Sequence, residues 1–155
     1  MPRPHRSALQ QREPLTTLSD VAPDDVEEVV VAWQMPLRRA GVARTPDDPL
    51  PFTLVNHITG TENVDEGTAD PIVSVHTLCD RTLGFGVAAL ECSHTHSRML
   101  RLARHIDDIT LTGGAVVSID YLIVVESPIW QPYEDNQIIR KVGRYQIGLR
   151  YTAQS

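Results

Sequence analysis

Between Ser118 and Thr152 the chain passes through an apolar run, a Pro-Trp-Pro-Tyr elbow and a strand with two chemically opposite faces. Few folds accommodate that succession. In Lys141–Tyr151 an extended chain turns Tyr145, Ile147, Leu149 and Tyr151 one way and Arg144, Gln146 and Arg150 the other. One face packs and the other stays polar. Upstream, Val116–Val125 is apolar at nearly every position, the pattern of a central strand covered on both faces. The segment between them holds Pro128 and Pro132, which have no N–H to give to a ladder, so the sequence predicts a bent hairpin interrupted at its corner. Trp130 and Tyr133 occupy that corner.

The rest of the chain supplies what such a hairpin packs on. After Pro23-Asp-Asp, the residues Val26, Val29, Val30 and Trp33 share one helical face, Pro36 ends the run, and Arg38 and Arg39 follow. A proline-rich link, Thr45–Pro51, leads to a strand in which Phe52, Leu54 and Ile58 alternate with Thr53, His57 and Thr59. Ile72–Leu78 is a second strand, and the polar link from Gly60 to Asp70 makes a long acidic hairpin tip. Asp80 is placed to cap a helix over residues 82–105, whose stripe is Phe85, Ala88, Ala89, Cys92, His96, Met99, Leu102 and Ala103. The order helix, strand, strand, helix, strand, strand predicts an α+β domain, a four-stranded mostly antiparallel sheet with two helices packed on one face. Residues 1–20 hold three prolines and no period of either kind, and read as a flexible arm before a single domain at 21–155.

Composition narrows the function. A net charge of −6 argues against a protein that grips nucleic acid by neutralising phosphates. Cys79 and Cys92 lack paired spacing and read as buried, reduced thiols, with no secretory leader ahead of them and no apolar window long enough for a membrane helix. Cys92-Ser-His-Thr-His96 together with His76 is the one constellation that could hold zinc, yet on a helix only Cys92 and His96 face the same way. Gly84-Phe-Gly86 lacks the lysine and further glycine of a phosphate loop, and the carboxylates between Glu62 and Asp70 lack the regular oxygen spacing of a calcium loop. No catalytic residue, metal ligand or cofactor site is assigned.

A resemblance runs along residues 24 to 152. Glu126-x-Pro-x-Trp-x-Pro-Tyr133 followed by Arg144-Tyr-x-x-Gly-Leu-Arg-Tyr151 resembles the end of tail terminator proteins from long-tailed (siphovirus-type) actinobacterial and mycobacterial phages. The match continues through Val30-Val-Ala-Trp33, Asp48-Pro-Leu-Pro-Phe52, Val73-Ser-Val-His-Thr77 and Arg98-Met-Leu-x-Leu-Ala-Arg-His105. The stretch before Val21 and the glycines at 84 and 86 carry none of it.

The resemblance implies a virion structural protein and no enzyme. It implies a homohexameric ring at the head-proximal end of the tail that caps the tube, stops its polymerisation and joins it to the head-side connector, after assembly in the host cytoplasm. The implied partners are other copies of the chain, the major tail tube protein and the head-tail connector proteins, with genomic DNA passing through the lumen unbound and no membrane. A head-tail connector or stopper component is the alternative of the same kind, and a small metal- or thiol-dependent enzyme around Cys92 and His96 the alternative of another. For the ring, Trp130, Tyr133, Arg140, Arg144 and Arg150 are the expected subunit or tube interface, and Glu62, Asp65, Glu66 and Asp70 an acidic tip facing the lumen, where negative charge keeps DNA sliding.

Overall fold

The computed structural model describes residues 21–153. The arm read at residues 1–20 lies outside them. Two helices, α1 (Val26–Gln34) and α2 (Phe85–His105), pack with a curled six-stranded sheet of β1 (Val21–Pro23), β2 (Ala40–Gly41), β3 (Phe52–Asn63), β4 (Thr68–Asp80), β7 (Tyr121–Gln131) and β8 (Ile138–Ala153). A separate two-stranded sheet joins β5 (Ile109–Thr110) to β6 (Val116–Val117). The fold is mixed α+β, and the expected four-stranded sheet is corrected to six strands plus two. The additions β1 and β2 are three and two residues long, too short for any period to register.

The strand order is β1-β8-β4-β3-β2, with β7 also on β8. Only β2 pairs in parallel, with β3. β8 is the axis: β4 covers one edge over almost its whole length, and β7 and β1 share the other. A second correction concerns the apolar run. It splits into β6 and β7, and β7 is an edge strand that leaves Ile123 and Val125 exposed. β7 also runs straight through Pro128 to Gln131, because two irregularities, between Val124 and Glu126 and between Glu126 and Ile129, take the proline out of the regular ladder.

α1 is capped by Asp25, whose carboxylate accepts from the Glu27 amide at 2.9 Å, and it buries Val26, Val29, Val30 and Trp33. α2 buries Ala88, Cys92, Thr95, Met99 and Leu102. Both helices share one core with the β8 face of Tyr145, Ile147 and Leu149. Trp33 and Arg98 lock the helices together. The indole Nε1 donates to the Arg98 carbonyl at 2.9 Å, the guanidinium donates back to the Trp33 carbonyl, and it lies 4.3 Å from the indole centroid. Phe52 and Leu54 point to the other face of the sheet, where Phe52, Leu78 and Ile138 form a second small core with Leu50, Leu54 and Tyr133.

Candidate functional site

The two ends of β8 differ in chemistry. At its beginning, the corner of the β7–β8 hairpin meets the turn that leads into α2. Asp80 caps that turn by accepting from the Thr82 amide at 2.9 Å, and Arg81 ties it to the hairpin loop through its amide to the Gln137 carbonyl at 2.8 Å and its Nε to the Asn136 carbonyl at 2.7 Å. Gly84 at φ 90° then redirects the chain into α2, a conformation that a residue with a Cβ rarely adopts. The result is a groove of about 290 Å³ lined by Arg81, Phe85, Trp130, Tyr133, Ile138 and Arg140 among others.

Its aromatic rings are each met by a cation. Phe85 and Trp130 stack edge to face at 5.1 Å, with Arg81 5.8 Å from the Phe85 centroid and Lys141 4.9 Å from that of Trp130. Arg140 lies 5.2 Å from the Tyr133 centroid, donates to the Pro132 carbonyl, and has a buried Nε with no acceptor among the described residues. Phe85 is 53% exposed and Trp130 42%, with Leu83, Leu90 and Ile129 also exposed nearby. Large apolar surface held rigid beside cations is the composition of a protein interface. Trp130, Tyr133 and Arg140 were expected at such a surface from the sequence. Phe85 was expected in the core stripe and is corrected to the surface, while Arg81 and Lys141 gave no sequence signal beyond their charge.

The other two arginines lie elsewhere. Arg144 is 3.7 Å from Glu126 and Arg150 3.0 Å from Asp120, so each has a carboxylate partner within its own chain. The acidic tip also divides. β3 and β4 extend further than the sequence indicated and leave only residues 64–67 as the turn. Glu62 accepts from the Tyr151 phenol and Asp70 from the Tyr121 phenol. Burial and Asp70 together push the Tyr121 hydroxyl up to about 12, so it stays a donor. Asp65 and Glu66 remain at the turn with no ion pair among the described residues.

The sheet itself separates the suspected metal ligands. Cys92 and His96 belong to α2, and His76 sits on the opposite face, its Nδ1 accepting from Arg140 at 3.3 Å and its Nε2 2.8 Å from Ser74 Oγ. Because Arg140 can only donate, the Nε2 of neutral His76 carries the hydrogen and donates to Ser74, which leaves the serine without a base. Both thiols are pushed up by burial, Cys79 to about 11. They are expected to react with an aromatic disulfide reagent only after unfolding, with less than stoichiometric zinc in the purified protein. Fast labelling of the native protein, or one zinc per chain, contradicts this arrangement.

Burial, then Arg140 and Arg144, hold His76 down at about 4. Between about 6.5 and 4 the unfolded chain therefore binds a proton that the folded chain refuses, and stability falls as pH drops through that window by up to roughly 3 kcal/mol. His76→Gln is expected to flatten the pH dependence of urea unfolding there. An unchanged slope would assign the loss to carboxylates.

Among the described residues no helix is long and apolar enough to cross a membrane. No protein-family model matches the chain, and no curated protein matches it.

Proposed function

We propose that the chain is a structural subunit that assembles head to tail into a ring, a tail terminator that closes the tail tube of a long-tailed phage and presents its other side to the head connector. The observation that carries this reading is the polarity of the molecule along β8. An exposed aromatic groove lined by Arg81 and Arg140 and flanked by Lys141 stands at the Arg140 end, and a hairpin turn with two carboxylates that have no ion pair among the described residues stands at the Arg150 end. The nine residue steps from Lys141 to Arg150 set the two about 30 Å apart at the usual strand rise. Unlike surfaces at opposite ends of one subunit make heterologous contacts, and these close into rings when the rotation allows. The sequence resemblance to tail terminators supplies the tube as the object of that ring. DNA passing through it meets a net negative subunit, which disfavours sticking.

The experiment is to add purified protein to polymerising tail tubes and measure tube length. Capped, shortened tubes with a ring at one end are expected. Tubes that grow unchanged, or virions with this chain at the tail tip, would sink the reading. Binding to connector proteins without binding to tube subunits would move it to a connector or stopper of the neck.

A further inference from the structure

We infer that the β3–β4 turn of one copy inserts into the aromatic and basic groove of the next, with Val64 as the apolar plug and Asp65 and Glu66 against Arg81, Arg140 and Lys141. This rests on the ring reading above and names the contact that would build the ring. Val64 is the most exposed large apolar residue of the described chain, at 76%. A valine held in water at the tip of a paired hairpin does nothing for its own fold. The strands beneath it are fixed by a continuous ladder from Thr61↔Asp70 to Asn63↔Thr68, and Asn63 Oδ1 accepts from the Glu66 amide at 3.1 Å. The tip is therefore a preorganised projection, and little ordering entropy is lost when it docks.

The groove is its complement in three respects. Phe85, Trp130 and Ile138 give an apolar floor. Arg81 and Arg140 line it and Lys141 stands against its Trp130 ring, none with a carboxylate partner among the described residues; Arg39, Arg101, Arg144 and Arg150 elsewhere on the surface each have one, and the exposed Arg104 has none. Its volume of about 290 Å³ falls just under the roughly 300–1,000 Å³ of small-molecule sites and suits a loop tip better than a cofactor. Both surfaces lie on one chain at opposite ends of β8, so every copy offers a groove forward and a tip behind. Trp, Tyr and Arg are the residues that dominate binding energy in such contacts, and the tip is the anchor of an interface whose remaining area flanks it.

The test uses two variants of the full chain, Trp130→Ala for the groove and Asp65→Lys with Glu66→Lys for the tip, followed by sedimentation velocity. All four altered side chains are at the surface or the turn, and circular dichroism verifies the fold; Phe85→Ser is the second groove variant. Each variant alone is expected to lose self-association at least about thirtyfold, the effect of removing one strong anchor. Mixed together, the tip of one and the groove of the other are both intact. The mixture is expected to form one-to-one dimers that cannot grow. Variants that associate like wild type overturn the contact, and so does a wild-type chain that stays monomeric both in solution and on tubes. Tube capping by the same proteins separates the two ideas: variants that still cap leave the terminator reading standing without this contact, and a wild type that associates as described yet never ends a tube keeps the contact and removes the terminator.

Discussion

Arg38→Ala is expected to lower stability by about 3 kcal/mol, or roughly 10 °C in the unfolding midpoint, the largest loss from any single charged residue among the described residues. The Arg38 side chain is 7% exposed and binds α2 and β3 at once. It donates to Glu91 Oε2 at 2.7 Å and to the Glu91 carbonyl at 3.0 Å on α2, to Thr53 Oγ1 at 3.1 Å on β3, and to Thr95 Oγ1. Thr95 in turn accepts from Thr77 at 3.0 Å on β4, and its carbonyl accepts from Gln34 at 3.2 Å at the end of α1. Truncation strands the Glu91 carboxylate and the buried Thr53 hydroxyl and takes one donor from Thr95, which keeps Thr77, and unpaired buried groups cost more than the pair contributed. Glu91 keeps some water, which holds the loss at the low end of the buried-pair range. Arg38→Lys should recover only part, because a compact ammonium cannot reach the acceptors on both helix and strand that the planar guanidinium spans. The neighbouring Arg39 pairs with Asp48 in the open, and Arg39→Ala should cost under about 0.5 kcal/mol. Equal losses at the two positions in urea titrations would show that the network is not what holds α1 and α2 to the sheet.

Trp130→Ala is expected to leave that stability almost untouched and to weaken self-association at least about thirtyfold, and under the terminator proposal to leave added tubes uncapped. The indole is 42% exposed, flanked by Phe85 and Lys141, and contributes little to either core. Its removal deletes the widest apolar surface of the groove without opening a cavity beneath it. Arg144→Glu and Arg150→Glu are the weaker choices, since Glu126 and Asp120 already engage those charges and reversal would disturb the fold's own pairs. If Trp130→Ala associates normally while Arg144→Glu does not, the interface lies on the other face of the sheet.

Most of the helical core could be read in advance, because period 3.6 is dense in information. Val26, Val29, Val30 and Trp33 are all buried, as are Ala88, Cys92, Met99 and Leu102. Thr95 is polar and Arg38 reads no differently from Arg39, so neither stands out in the sequence. Their burial is decided by where α2 crosses the end of α1, more than fifty residues away in sequence, and no local pattern records that. The β8 alternation was equally legible, since a strand flanked on both edges has its register fixed. β7 was not: a Leu-Ile-Val-Val run reads as central, whereas two irregularities and a free edge turn half of it to solvent. Of the groove, the corner aromatics stood out as chemistry without a place. Phe85 joined them only through the turn at Gly84, which shifted the start of α2 and brought the ring out of the stripe.

The position of β8 also governs how the molecule comes into being. It follows every other strand in the chain, yet it is the one on which β4, β7 and β1 all depend. A ribosome adding roughly 5–20 residues per second releases β4 several seconds before its partner exists, and the pairs they form span roughly 60 to 80 residues of chain. During that interval β3 and β4 stand as a hairpin with one edge bare and its valines wet, the state most prone to pairing with another nascent chain. Folding then completes in one late insertion instead of growing outward from a finished half. A stop codon between β4 and Ile138 leaves only the β2–β3–β4 piece of this sheet, with the β4 edge bare and β1 and β7 without the strand they pair with.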